Sequence, residues 1–416
     1  MKNLKYFFLL FTGFLQAQET LNLEQCYQLG RENYPLIKKQ ELIKKSAEYN
    51  VENALRGYLP QINILGQATY QNDVTQFPVK LPNVSVDPLS KDQYKAYVDI
   101  NQTIYDGGII KNQKRIAEKQ AEIQTQQTEV ELDKLKERIN QLYFGILLTD
   151  KQLAQLQLTK TDLNEGIKKA EAQLKNGVIF KSNLDALKAE SVKTDQRQIE
   201  LQSMKETYQK MLSYFINKKI DENTTLQMPE KDLIIKTNKR AELKLFDSQK
   251  SLIETQKKLV ASKNAPKLGA FFQGGYGKPG FNMLKNEFDV FYIGGVRLSI
   301  PISGFYTKKN EMELLKNQSQ DLDIQKENFL FNLNFTEIQQ KNELEKIQSL
   351  INKDDELIEL RKSIKKASLA QLENGVINTN DYLRDVNAEE QASLAKISHE
   401  IQYLLTEYNL KAQLNN

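Results

Sequence analysis

The sequence predicts a mainly helical protein that carries a few membrane-length β-strands and contains two copies of one structural unit. Three observations predict it: an internal repeat, long helical heptads without proline, and four segments in which apolar and polar residues alternate. The composition agrees, because charged residues make up 27% of the 416 residues and Trp is absent, as in long solvated helices with an apolar seam. The formal net charge of +4 is small, so nucleic acid is not an expected partner.

The first residues predict a signal peptide over 1–17. Lys2 and Lys5 precede an apolar run, and the small Ala17 is followed by polar residues, as in secretory signals. The alternative, a buried first helix, is less favoured because the run is too short to span a bilayer and ends in polar residues. Cys26 is the single cysteine and lies well past the cleavage site, so neither a lipid anchor nor a disulfide is expected.

An internal repeat divides the chain. Residues 172–179 (AQLKNGVI) recur at 370–377 (AQLENGVI) with one difference. Each copy follows the same order of parts: a helix, a proline, two alternating segments, a glycine turn and a long helix. We expect a first repeat at 18–220, a connector at 221–239 and a second repeat at 240–416.

Each repeat is expected to hold a helix, a β-hairpin, a long helix, a tip turn and a return helix. In the first repeat the β-hairpin is expected at 60–106, the long helix at 108–174, the tip turn at 175–183 and the return helix at 184–217. In the second repeat the β-hairpin is expected at 266–303, the long helix at 304–372, the tip turn at 373–381 and the return helix at 382–413.

Apolar heptads predict helices longer than a compact domain. No proline lies between Pro88 and Pro229, as an uninterrupted helix requires. About 65 residues at roughly 1.5 Å each give a rod on the order of 100 Å. A helix with two adjacent apolar rows could contact a neighbour on each side, as in a tube. The helices alone are also compatible with a solid coiled-coil bundle. One row holds Leu135, Leu142, Leu156, Leu163 and Ala170; the other holds Leu132, Ile139, Ile146, Leu153, Ile167 and Leu174.

Four alternating segments predict membrane strands. After Pro60 the even positions are apolar or small and the odd ones include Gln61 and Asn63, and three later segments repeat this pattern. About ten residues with one apolar face is typical of an outer-membrane strand, and soluble hairpins are the alternative for any single segment. Outer-membrane barrels need about 8 strands or more, so four strands per chain require several copies.

Three sequence motifs resemble the outer membrane efflux protein family, of which TolC is the type. These motifs are LNLEQC at 21–26 with NYP at 33–35, NQTIYDGG at 101–108, and the two NGVI segments. One departure is Thr103, where the family usually has proline; the second half keeps Pro301 at the equivalent place. The resemblance implies a TolC-like homotrimer, with a 12-stranded β-barrel continuing into a coiled-coil barrel of 12 helical staves.

The same resemblance implies the location and the partners. The barrel would lie in outer-membrane lipid and the helices in the periplasm. The helical tips would contact a periplasmic adaptor (membrane fusion) protein and an inner-membrane RND or ABC transporter. The expected tip contacts are Asn176, Gly177, Val178, Ile179, Asn374, Gly375, Val376 and Ile377.

The resemblance also suggests a constriction near the tips. The family has an aspartate about six residues after the glycine; Asp381 matches it, whereas the first half has Asn183. A second family acid is replaced by Arg384, and Asp385 follows it. For Asp381 the alternative is a helix cap, because acids at a helix start complement the dipole.

No catalytic, cofactor or metal site is expected. His399 is the single histidine and Cys26 the single cysteine, so no metal cluster, triad or thiol site is expected. The predicted function is a passive exit duct of a tripartite efflux or type I secretion system. The alternative is a periplasmic adaptor or structural coiled-coil protein of the cell envelope.

Overall fold

The protein is described by a computed structural model over residues 19–75, 88–221, 224–231 and 240–414. The predicted signal peptide and most of the predicted connector lie outside these residues. The helices are α1 (Leu23–Asn33), α2 (Lys38–Leu55), α3 (Ile109–Asp133), α4 (Leu135–Lys175), α5 (Lys181–Ile216), α6 (Ala241–Lys263), α7 (Phe305–Glu373) and α8 (Thr379–Leu414). The strands are β1 (Glu19–Leu21), β2 (Gln61–Tyr70), β3 (Asp92–Tyr105), β4 (Thr224–Leu226), β5 (Lys267–Lys278) and β6 (Asp289–Ser299).

The chain forms two compact units. The first comprises the described residues of Met1–Ile37, Glu129–Arg240 and Leu330–Asn416, and the second comprises those of Lys38–Thr128 and Ala241–Phe329. Each unit therefore takes residues from both halves of the sequence.

The core of the first unit forms where α1, α4, α5 and α8 meet a small sheet. The sheet pairs β1 with β4 in parallel and was not predicted from the sequence. The Tyr143 hydroxyl, on α4, contacts the carbonyl oxygens of Leu21 at 2.9 Å and Gln227 at 2.6 Å. Both strands are thus tied to the helices. Members of the predicted heptad rows that are buried are Leu132, Leu135, Ile139, Leu142, Ile146, Leu156, Leu163 and Ala170.

The second unit contains a four-stranded antiparallel sheet in the order β2-β3-β5-β6. One row across it joins Ile64, Val98, Gly274 and Tyr292. Ile64 is 84% exposed and Tyr292 75%, so this face is apolar and uncovered. On the other face, Asp99 accepts hydrogen bonds from the side-chain amides of Asn101 (2.5 Å) and Gln273 (2.9 Å). The predicted alternation is confirmed for the apolar face, whereas the face of Asp99 also carries Leu65, Tyr97, Phe271 and Phe291 among its polar side chains.

The strand-to-helix joint is built by Asp106. Its carboxylate accepts the backbone N–H groups of Gly108 at 2.8 Å and Ile110 at 2.6 Å, which satisfies free donors at the start of α3. Gly107 and Gly108 have φ of +75° and +91°, a region that favours glycine. The DGG motif therefore turns the chain from β3 into α3.

Several predicted bounds are corrected. The helix expected at 108–174 is interrupted at Lys134, although its backbone (φ −63°, ψ −17°) stays right-handed helical, so only the local hydrogen bonding changes. The tip turns expected at 175–183 and 373–381 are shorter, because α5 begins at Lys181 and α8 at Thr379. Strand β3 has 14 residues instead of about ten. Its pairing with β5 shifts register between Thr103 and Tyr105, where the strand approaches the turn into α3.

Candidate functional site

The first predicted tip is a tight helix-to-helix turn. Gly177 has φ +71°, and its N–H donates to the Leu174 oxygen at 3.0 Å. The Val178 N–H donates to the Gln173 oxygen at 2.9 Å. This pair of bonds is the Schellman motif, which satisfies the last carbonyl groups of α4.

The second predicted tip has the same backbone conformation. Gly375 has φ +69°, and the equivalent bonds run from Gly375 to Leu372 (3.1 Å) and from Val376 to Gln371 (2.9 Å). The two turns differ in how the next helix starts. The Asn378 side chain accepts the Asp381 N–H at 3.0 Å, whereas Phe180, at the equivalent place, provides no side-chain cap.

Replacing Gly177 with Ala is expected to destabilise the protein by about 1–2 kcal/mol, because an L residue is strained at positive φ. A Cβ there meets nothing within 4 Å, so the cost is a backbone cost. Gly166 provides the matched control inside α4, where an added Cβ makes ordinary contacts from 3.7 Å. Gly166→Ala should be neutral or stabilising by up to about 1 kcal/mol. Thermal unfolding in detergent measures both, and equal effects would contradict the assignment of strain.

Both tips share one apolar cluster. Ile179 and Ile377 pack against it, whereas Val178 is 64% and Val376 70% exposed. Each NGVI segment thus anchors its isoleucine and exposes its valine. The buried members of the cluster are Leu163, Ala170, Leu184, Leu187, Tyr382, Leu383 and Val386.

Three of the four predicted constriction residues lie together. The Arg384 guanidinium is 3.7 Å from both the Asp381 and the Asp385 carboxylates, and its side chain is 72% exposed. The Asp385 carboxylate also accepts a hydrogen bond from the Ser368 hydroxyl. Asp381 is the third residue of α8, where a negative charge complements the helix dipole. Asn183 lies apart from these, in the first turn of α5.

Sequence reasoning missed a buried charge cluster near the tips. Lys365, on α7, donates to Asp162 of α4 at 2.7 Å and to Glu389 of α8 at 3.3 Å. Burial alone lowers the pKa of Lys365, but the hydrogen bonds and charges of both carboxylates outweigh it, and the pKa is raised. The salt bridges therefore hold three helices together while Lys365 stays charged.

Glu390, the next residue of α8, makes a separate pair with α5. Its carboxylate accepts from Arg197 at 3.3 Å, and it is 7% exposed. A sequence signal existed, because Glu389 and Glu390 follow Tyr382 and Leu383 by seven residues each, where the heptad expects apolar side chains.

The Glu390→Gln variant is expected to change how stability depends on pH. Burial raises the pKa of Glu390, and the Arg197 charge only partly offsets it. The wild type therefore binds more protons when folded, and its stability falls as pH rises from the ordinary glutamate value through the raised one. The stability of the Glu390→Gln variant does not fall with pH for this reason. Arg197 stays solvated in the variant because its side chain is 47% exposed. Melting temperatures should favour the variant more at about pH 8 than at about pH 4.5; a constant difference would contradict this.

The described residues contain no group of three or more His, Cys, Asp or Glu side chains able to hold a metal ion. None of the described helices is both long and apolar enough to cross a membrane.

The comparisons identify what the chain is similar to. Residues 26–212 match the family model "Outer membrane efflux protein". No curated protein sequence matches the chain significantly. The match covers 187 of the 416 residues and agrees with the resemblance drawn from the motifs.

Solved outer-membrane channels share the fold over nearly the whole chain. VceC from Vibrio cholerae is 11% identical with TM-score 0.69, covering 95% of this chain and 96% of that one. CmeC from Campylobacter jejuni is 13% identical with TM-score 0.64, covering 94% and 85%. MtrE from Neisseria gonorrhoeae is 12% identical with TM-score 0.67, covering 95% and 89%. The predicted TolC-like fold is confirmed, and CmeC and MtrE are outer membrane channels.

Proposed function

We propose that this chain is an outer membrane efflux protein, as the match over residues 26–212 suggests, and that it forms one third of a passive exit duct. The observation that carries the proposal is the sheet of the second unit, whose uncovered face is apolar and whose opposite face holds its charged and amide side chains. Such a sheet suits a wall between lipid and a water-filled lumen. Aromatic stacking near one end of the sheet, between Tyr276 and Phe288 at 5.5 Å, fits the aromatic girdle at a membrane interface.

The duct would be a homotrimer. Strands β2 and β6 each have one neighbour among the described strands, and an unpaired strand edge is not tolerated in lipid. Pairing β6 of one copy with β2 of the next, three times, gives about 12 strands. Phe331, Phe335 and Ile338 are more than 60% exposed and lie four and three residues apart along α7, a spacing that suits contact with a neighbouring helix. The second repeat of each chain would then contribute the same kinds of strand and helix to the wall of the duct as the first repeat.

The tips would bind a periplasmic adaptor protein. Three exposed apolar side chains lie beside the tip cluster, namely Val178, Phe180 and Val376. Exposed apolar residues favour contacts with other proteins. An inner-membrane RND or ABC transporter would provide the energy, in a tripartite efflux or a type I secretion system.

The duct would have no catalytic role. The buried thiol of Cys26 has its pKa raised to about 12 by desolvation, which the Lys218 charge only partly offsets. The thiol therefore stays protonated at neutral pH and is a poor nucleophile. His399 lies 2.6 Å from the Asp354 carboxylate, a pairing between α8 and α7 that serves packing.

Two measurements test the proposed duct. The purified protein should conduct ions in planar bilayers, and the cellular protein should fractionate with the outer membrane as a heat-modifiable oligomer. Absence of conductance, both in the wild type and in the tip variant Asp381→Ala/Arg384→Ala, would overturn the proposal. Release by osmotic shock would instead support the periplasmic adaptor or structural coiled-coil protein.

The adaptor contact has its own test. The double variant Val178→Asp/Val376→Asp should lose most adaptor capture in site-directed cross-linking. Its thermal stability should change by no more than about 0.5 kcal/mol, because both side chains are surface-exposed. Leu158→Asp on α4 is the control, since Leu158 is 62% exposed but lies outside the turns. Unchanged capture in the double variant would argue against tip docking.

A further inference from the structure

A cavity of about 220 Å³ opens on the polar face of the four-stranded sheet. It lies at the end of the sheet where β3 leads into α3. The register places its side chains on one face, because Gln61 pairs with Asn101, Asn101 with Phe271, and Lys267 with Ser299. The cavity therefore spans all four strands.

Two cations face each other across this cavity. Arg297 lies opposite Gly269, two residues from Lys267 on the adjacent strand, and such diagonal neighbours are about 7–8 Å apart. Among the described residues, neither Lys267 nor Arg297 forms an ion pair. The Arg297 guanidinium lies 4.7 Å from the centre of the Phe271 ring. The cavity thus combines two positive side chains that have no ion-pair partner among the described residues with an aromatic surface.

The nearby carboxylates are engaged elsewhere. Asp106 lines the cavity, but it accepts the two N–H groups at the start of α3. Asp99, on the same face, accepts from two side-chain amides. The lining of the cavity holds two positive side chains, Lys267 and Arg297, against the single carboxylate of Asp106, so the cavity has a net positive charge.

Glycines give the cavity its flat floor. Gly269 lies opposite Arg297 and lines the cavity without a side chain. A Cβ on Gly295 would come within 3.2 Å of the Phe271 ring. This shape admits a planar group beside the ring.

We propose that this cavity binds amphipathic anions, namely planar aromatic rings that carry a carboxylate or a sulfonate. The ring contacts Phe271, the anionic group lies between Lys267 and Arg297, and the Gln61 amide and the Ser299 hydroxyl supply hydrogen-bond donors. In the proposed duct, which this role in transport presupposes, the cavity is a resting place for anionic solutes on the wall of the lumen.

The test is a binding measurement on the full-length protein in detergent. The probe is 2-naphthalenesulfonate, followed by saturation-transfer NMR, with 2-naphthylmethylammonium as the matched cation. The Lys267→Gln/Arg297→Gln variant should bind the sulfonate about tenfold more weakly, since two partly exposed charge contacts are lost. The same micelles with the variant account for partitioning of the probe into detergent.

Lys95→Gln provides the matched control. Lys95 is an odd-numbered residue of β3 on the same face as Asn101, six residues away and hence about 20 Å along the strand. Its loss should leave sulfonate affinity unchanged. Equal affinity in wild type and double variant, or equal binding of the ammonium probe, would overturn the proposal, provided that circular dichroism shows a folded variant.

Binding and conduction are separable outcomes. A protein that binds the sulfonate but makes no pore retains the anion site and refutes the proposed duct. A protein that makes a pore but binds neither probe refutes the anion site alone.

Discussion

The Ile64→Lys variant is expected to be lost from the outer membrane. Ile64 is 84% exposed on the apolar face of the sheet, in the central row that also holds Val98 and Tyr292. A lysine at the bilayer midplane costs about 2–4 kcal/mol, and each copy in a trimer would bear this cost. Quantifying the heat-modifiable oligomer in outer-membrane fractions measures the loss.

Asn63→Lys is the matched control for this variant. Asn63 precedes Ile64 and therefore points to the polar face, where it pairs in register with Asp99. A lysine opposite that carboxylate is tolerated or mildly favourable. If Asn63→Lys were lost as severely as Ile64→Lys, the apolar face would not be the lipid-facing one.

The Lys365→Ala variant should loosen the helical tips and increase channel conductance. The Lys365 side chain is 22% exposed and that of Glu389 9%, so removing the amine leaves a buried carboxylate without this partner. Such a loss costs about 1–3 kcal/mol. A lower melting temperature and a larger or more frequent conductance in planar bilayers are the expected results.

Two further variants make the test of Lys365 sharper. Lys362→Ala, one turn away on α7, removes only a surface pair with Glu359 in which both side chains are more than half exposed. It should change stability by at most about 0.5 kcal/mol. Adding Glu389→Gln to Lys365→Ala should recover part of the lost stability, since no buried charge then remains at that position. Conductance that stays at the wild-type level in Lys365→Ala would show that this cluster does not hold the tips.

Features with local chemical causes could be predicted from the sequence. The turns at Gly177 and Gly375 follow from the need for positive φ after a helix, and the strands follow from alternation around Ile64 and Tyr292. The DGG joint also belongs here, because Asp106 bonds to groups only two and four residues later. The tip contacts and the constriction residues remain predictions, since their roles depend on partner molecules.

Features that depend on distant residues could not be predicted. The salt bridges of Lys365 join residues from three helices, and no local pattern names the partners. The first turns of α5 and α8 extend closer to the glycines than expected; α8 starts from the Asn378 cap, whereas α5 starts without a side-chain cap. The interruption of the long helix at Lys134 occurs without proline or glycine, so the residue types there do not predict it.

The pairing of β1 with β4 has a consequence for the timing of folding. Leu21 meets Leu226 roughly two hundred positions later, a separation that makes closure slow. In the predicted secreted chain, Leu21 stays unpaired until Leu226 has been exported as well, and a chain that stops earlier leaves Leu21 and its apolar neighbours exposed to proteases and aggregation. A chain that is truncated before β4 therefore cannot form this strand pair.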